Sequence, residues 1–264
     1  MKLQDIYIYP IKSLGGIRLE QTQVGIKGFQ WDRRWMLVDE NGQFLTQRTI
    51  HKMALLQVQL REKGVVVFHK QKPELSLQIP LEPETQHFIP VTVWSDKVEG
   101  QIVSPTANQW FSEFLGQPCQ LVFMPDFIQR KVDPDYAVNG ETVGFADAMP
   151  YLLIGQASLD DLNSKLGKPV PMERFRPNMV FSGAEPFEED TWKEVAIGDC
   201  KFKVAKPCAR CILTTVDQNT GIKGKEPLKT LATYRTKDQK VLFGQNLIAL
   251  STGQVKVGDP VIKK

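Results

Sequence analysis

Short runs of apolar and β-branched residues, broken at close intervals by turn formers, dominate the chain and predict a mostly β (α+β) fold. The runs cover residues 3–9, 34–38, 55–61, 64–69, 75–79, 88–93 and 98–103. Each is rich in Val, Ile or Phe and bounded by Gly, Pro, Asn or Asp, the punctuation of strands. Asn41-Gly42 is a hairpin signal, because both residues tolerate positive φ. Strands at this spacing predict a barrel or sandwich. Helical periodicity is rarer. Residues 106–115 place Ala107, Trp110, Phe111, Phe114 and Leu115 on one face, with Thr106 as N-cap and Gly116 as the stop. Residues 158–166 predict a second helix, capped by Ser158, with Asp160 and Asp161 in its first turn and Gly167 after its end. Residues 227–233 predict a short third. The polar stretch 129–141 reads as an exposed loop. With Met124-Pro125 it divides the chain into a β-rich domain over 1–124 and a second β domain over 125–264.

Charge narrows the partners. Among 264 residues, 33 basic against 30 acidic side chains leave a net charge of +3, too balanced for a binder of nucleic-acid polymers. An anionic ligand would have to be met by a local cluster. No apolar run is long enough to cross a bilayer. Asp5 stands where the apolar core of a signal peptide would begin. These features predict a cytoplasmic protein without a membrane partner.

Four cysteines occur. Cys119 and Cys200 lie in apolar runs and read as small core residues. Cys208 and Cys211 lie in Lys206-Pro207-Cys208-Ala209-Arg210-Cys211, followed by a β-branched run from Ile212 to Val216 that predicts a strand. Cationic Arg210 and Lys206 beside Cys211 suit a thiolate, the form that attacks electrophiles and binds soft metals. A four-ligand zinc site lacks partners, because His51, His69 and His87 are far away and out of ligand spacing. A thioredoxin-like dithiol wants a helix after its cysteine, not a strand. Simple burial of both thiols remains an alternative. Basic residues also stand at the ends of other strand-like runs: Lys12 with Ser13, Arg33, and Arg176 with Asn178. If those ends converge on one barrel rim, they suit an anionic, metal-bearing cofactor. No dinucleotide or P-loop glycine motif and no Ser-His-Asp grouping can be built.

These stretches carry a resemblance. Residues 9–13 (YPIKS), 32–39 (DRRWMLVD), 150–163 (PYLLIGQASLDDLN), 174–183 (RFRPNMVFSG), 206–217 (KPCARCILTTVD), 226–231 (EPLKTL), 243–249 (FGQNLIA) and 255–261 (VKVGDPV) follow one another in family order across nearly the whole chain. The sequence resembles the MOSC-domain molybdenum enzymes, in particular the mitochondrial amidoxime-reducing component family and its bacterial relatives. The resemblance implies an N-terminal β-rich domain joined to a MOSC β-barrel holding a molybdenum-pterin cofactor with one molybdenum. It implies Cys211 as the metal ligand and catalytic residue. Lys12, Ser13, Arg33, Arg176, Asn178, Ala209 and Arg210 would contact the cofactor, and Cys208 would support them. The implied activity, with detoxification as its role, is reduction of small N-hydroxylated substrates (hydroxylamines, amidoximes, N-hydroxylated bases) by oxygen-atom removal.

Some relatives carry a C-terminal ferredoxin domain. The sequence has no such cysteine cluster after Pro260, so electrons are expected from a separate ferredoxin- or flavoprotein-type donor. The mitochondrial targeting or anchoring segment of some members is likewise not expected here. Ala148 and Met149 stand where small hydroxylated residues occur elsewhere in the family, so the resemblance carries no cofactor contact onto them. Asp217 reads as a proton relay or, more plainly, a turn carboxylate. Two other classes stay open: a sulfur-carrier or cofactor-maturation protein using a Cys211 persulfide, and a storage barrel without turnover.

Overall fold

The computed structural model describes residues 1–264. Its largest sheet runs Val261–Lys263, Glu194–Ile197, Cys200–Ala209, Lys240–Ala249, Tyr151–Gly155, Met179–Ser182, Lys2–Ile8 and Ile17–Leu19, with Thr236–Lys237 added beside Lys240–Ala249. Only Tyr151–Gly155 and Met179–Ser182 pair in parallel, joined by a crossover that holds helix α2 (Gln156–Ser164). The sheet closes on itself. Pro260 bridges Lys2, and Val261 N donates to Met1 O over 3.0 Å, so the last strand meets the first. Alternate residues fill the barrel, among them Ile6, Ile8, Leu153, Phe181, Phe202 and Leu247, all nearly inaccessible.

Gly253–Lys256 pairs with Gln21–Gly25, which pairs with Gly28–Phe29, in a small separate sheet, and the remaining β elements lie in the first half. Trp35–Val38, Gln120–Phe123, Asp96–Ile102 and Phe88–Val93 form a four-stranded antiparallel sheet. Leu56–Arg61, Gly64–His69 and Lys72–Pro80 form a three-stranded one. Helix α1 (Pro105–Leu115) packs Ala107, Phe111 and Leu115 into their common core with Trp35, Leu37, Val58 and Val67. All seven expected strands are present. Gly64–His69 and Phe88–Val93 carry the expected bounds, and Lys72–Pro80 is longer than expected. At the Asn41-Gly42 turn, Gly42 has φ 73° and donates to Asp39 O, while Asp39 Oδ1 accepts from Asn41 N and Gln43 N. A Cβ on Gly42 would stand 2.4 Å from Pro90 O, so glycine is required there.

Helix starts differ from expectation. The cap of α1 is Ser104, whose Oγ accepts from Ala107 N at 3.1 Å, with Pro105 in the first turn. Thr106 lies inside the helix. Helix α2 begins two residues before Ser158, from Gly155. Ser158 is fully buried within it and donates to the Glu189 carboxylate. Helix α3 spans Leu228–Tyr234. The 129–141 stretch is largely exposed, as expected, and is pinned at a few buried positions. Arg130, Val132 and Glu141 are buried, and Glu141 accepts from Val138 N and Asn139 N. No helix is long and apolar enough to cross a membrane.

Candidate functional site

Cys211 does not open a strand. The strand lies before it, at Cys200–Ala209, and Ile212–Thr215 is a turn of 3-10 helix. The β-branched content that predicts a strand is overridden by hydroxyls. Thr214 Oγ1 donates to Cys211 O (2.9 Å) and Thr215 Oγ1 to Ile212 O (2.7 Å), which satisfies turn carbonyls locally. The thiol is left half-buried at a strand end. It faces a cavity of about 770 Å³.

The structure brings every expected site residue to that cavity: Lys12, Ser13, Arg33, Arg176, Asn178, Ala209, Arg210 and Cys211. Cys208, Ala148 and Met149 line it as well. The cation beside the Cys211 sulfur differs from the expected one. Arg48 Nε donates to Cys211 Sγ over 3.2 Å. Arg210 turns to Cys208 Sγ (2.9 Å) and Phe175 O (2.7 Å), and Lys206 stands over the Tyr136 ring at 3.9 Å. Adjacency in sequence misleads here because neighbours in an extended chain point to opposite sides.

Arg48 is also held by Asp147. Arg48 Nη2 donates to Asp147 Oδ2 at 2.6 Å, and Lys12 Nζ donates to Asp147 Oδ1 at 2.5 Å and to Phe145 O at 2.7 Å. Burial works to raise the Asp147 carboxyl, but Lys12 and Arg48 overcome it and hold it well below the usual range. For Lys12 burial wins over the attraction of Asp147 and lowers the ammonium to about 8. Burial would lower Arg48 too, yet Asp147 and the Cys211 sulfur leave it raised. The Asp147 segment is fixed from behind by Arg130, which donates to Gly144 O, Ala146 O and Asp147 O.

Elsewhere in the lining, Arg33 donates to Asp32, Asn178 Oδ1 and Arg176 O, and Arg176 donates to Leu14 O at 2.6 Å. Both guanidinium groups lie over the Tyr9 ring, at 4.4 and 4.1 Å. Burial lowers Arg176 to about 10. Only one of its five N–H donors has a protein acceptor, so the others are free for an anion in the cavity. Asn178 is engaged on both sides of its amide, accepting from Arg33 and Leu152 N and donating to Tyr7 O. Ser13 Oγ stands 3.4 Å from Thr46 Oγ1.

Ser13, Arg33, Trp94, Arg176 and Asp238, all lining the cavity, are among only eight non-glycine residues with positive φ. Left-handed backbone at such residues costs about 1–3 kcal/mol each and is held by its surroundings. Asp217 is the turn carboxylate of the plainer reading. Its Oδ1 accepts from Asn219 N and Thr220 N, and it does not line the cavity.

Sequence reasoning missed Arg48, Asp147 and Trp94. Arg48 sits in a polar stretch with no strand-end position to mark it. Asp147 is an ordinary acidic residue until Lys12 and Arg48 converge on it.

A closed barrel with a cationic, thiol-bearing cavity defines the class of protein. Residues 140–262 match the MOSC domain, and residues 1–118 match the MOSC N-terminal beta barrel domain. Mitochondrial amidoxime-reducing component 1 of Mus musculus is 36% identical over 97% of this chain and 80% of its own length. Mitochondrial amidoxime reducing component 2 of Rattus norvegicus is 37% identical over 99% and 82%. The chain belongs to the mitochondrial amidoxime-reducing component family of MOSC-domain proteins. It is also 34% identical, over 92% of its length, to molybdenum cofactor sulfurase of Oryza sativa subsp. japonica, of which it covers 32%. Among solved structures, the YUAD protein of Bacillus subtilis is similar over 98% of this chain and 93% of its own, at TM-score 0.42 and 10% identity.

Proposed function

We propose that the protein is a molybdenum-cofactor-dependent reductase of N-hydroxylated compounds. The observation that carries the reading is the Cys211 thiol, bonded to Arg48 and opening on a 770 Å³ cavity walled by Lys12, Arg33 and Arg176. The residues fit an anionic pterin with one soft metal. A single thiolate suits molybdenum, and free guanidinium donors suit phosphate. In this reading Cys211 is the metal ligand. Lys12, Ser13, Arg33, Arg176 and Arg210 surround the cofactor, Ala209 adds backbone, and Asn178 acts mainly by orienting Arg33. When bound, the cofactor supplies two-electron removal of oxygen from an N–OH group. The net reaction takes two electrons and two protons and turns N–OH into N–H and water. The electrons come from a separate ferredoxin- or flavoprotein-type donor.

The protein's own residues then have defined work. Arg48, tied to Asp147 and Thr46, keeps the sulfur aimed into the cavity. The cations Lys12 and Arg176, both buried, would compensate the charge of the cofactor. The test is molybdenum content and turnover of hydroxylamine and amidoxime substrates, with a chemical or ferredoxin-type donor. Stoichiometric metal and turnover are expected for the wild type. At least a hundredfold loss of turnover, with loss of metal, is expected for Cys211→Ala. Full metal and activity in that variant would sink the assignment.

The match to molybdenum cofactor sulfurase favours a second reading, in which Cys211 carries a persulfide during cofactor maturation. Protein from a molybdenum-replete host that holds sulfane sulfur but no metal would favour it over the reductase.

A further inference from the structure

Trp94 is the tip of the hairpin between Phe88–Val93 and Asp96–Ile102, in the half of the chain opposite Cys211. It is 50% exposed, yet it is not a loose surface aromatic. Its backbone is left-handed, with φ 58°. Its indole Nε1 donates to Asp147 Oδ1 at 3.2 Å. One side of the ring takes the Arg48 guanidinium at 4.7 Å, and Phe44 packs at 5.1 Å with a 56° tilt. The positive φ belongs to the two-residue turn Trp94-Ser95 between paired Val93 and Asp96, while Asp147 and Arg48 fix the indole itself, and Trp94 lines the cavity. Burial of this indole cannot explain its placement, because half of it stays wet. A rigid aromatic surface with its polar atom already tied is a stacking platform.

We propose that Trp94 is a specificity-determining residue, a platform that selects flat, conjugated N-hydroxylated substrates over small aliphatic ones. A planar amidine-like or heteroaromatic N–OH compound stacks on the indole. Hydroxylamine itself has no π surface and gains nothing. Arg48 lies against the ring and also bonds the Cys211 sulfur, so the platform and the thiol line one cavity. The inference rests on the reductase reading above.

The test compares benzamidoxime with hydroxylamine as the ratio of their kcat/KM values, in wild type, Trp94→Phe and Trp94→Ala. The ratio is expected to fall about tenfold in Trp94→Ala, through KM for benzamidoxime, and to be largely kept in Trp94→Phe, which retains a ring but not the N–H. A tenfold ratio corresponds to about 1.4 kcal/mol. An unchanged ratio in Trp94→Ala overturns the proposal. Equal falls in both variants also overturn it, since the hydrogen bond to Asp147 would then be the operative feature. Calorimetric binding of benzamidoxime without any electron donor separates this idea from the reductase reading. If wild type turns over neither compound, the reductase reading fails. Tenfold weaker binding by Trp94→Ala, but not by Trp94→Phe, then still supports the platform, and equal affinity in all three overturns it.

Discussion

The three-stranded sheet of Leu56–Arg61, Gly64–His69 and Lys72–Pro80 and the wall of the cavity are assembled in different ways. In the sheet, every second residue faces the core: Leu56 and Val58, then Val65 and Val67, then Leu77 and Ile79. Local preference and burial agree there, and period 2 is enough to place each side chain. In the cavity wall they disagree. Ser13, Arg33, Trp94 and Arg176 carry left-handed backbone that their side chains disfavour. Long-range bonds hold them instead, such as Arg33 N to Tyr9 O at 3.0 Å and Arg176 Nη1 to Leu14 O at 2.6 Å. Agreement between levels makes a robust core, and conflict is concentrated where a ligand would sit.

This contrast can be broken by mutation. Truncating the barrel core has the largest expected effect on stability. Phe202→Ala, at a fully buried site packed on Tyr151, should cost about 3–5 kcal/mol in urea unfolding. A loss under 1 kcal/mol would mean that the barrel core tolerates what the contrast says it cannot.

The cavity wall should respond to pH through Lys12. Its ammonium titrates near 8 when folded, against an ordinary 10.5, because burial outweighs Asp147. Affinity for inorganic phosphate should therefore fall, by up to about tenfold, as pH rises from 7 to 9. Lys12→Met should flatten that dependence, and an equally steep profile in the variant would exclude Lys12 as its source. Stability moves the opposite way. Between about 8 and 10.5 the unfolded chain keeps a proton that the folded one has lost, so the stability contribution of Lys12 rises with pH there. Asp147, held low, contributes stability above its ordinary carboxyl value and loses it only in acid.

The smallest effect tests strain itself. Asp238 and Gln239 form a two-residue hairpin turn between paired Lys237 and Lys240, with φ 49° and 60°. Gln239 is exposed and lies outside the cavity lining. Gln239→Gly should stabilise the fold by about 1 kcal/mol, read from the urea midpoint, because glycine removes the left-handed penalty. Destabilisation would mean that the turn is not strained.

The first-half strands, the apolar face of α1 and the barrel were legible because period and turn chemistry are local signals, whereas the strand expected after Cys211 is a 3-10 turn. The helix caps were less so. Ser104, Thr106 and Ser158 are all hydroxyl residues near helix starts, and only packing decides which hydroxyl turns to a backbone N–H and which to Glu189. Site residues were legible where a cation or thiol stands at a strand end, as Lys12, Arg33, Arg176 and Cys211 do. Arg48, Asp147 and Trp94 were not, because each acquires its role from partners distant in sequence.

The chain's own order of residues determined its β-rich class, its family and the candidate thiol and cations, Cys211 with Lys12, Arg33 and Arg176, that line one cavity, since these follow from residue type and short-range spacing. Only tertiary structure decided which guanidinium touches which sulfur, Arg48 with Cys211 and Arg210 with Cys208. The reason is that packing of a first-half turn against the barrel brings Arg48 to a sulfur 163 positions away in sequence and leaves Arg210 to Cys208, and charge pairing depends on distance in space, not along the chain.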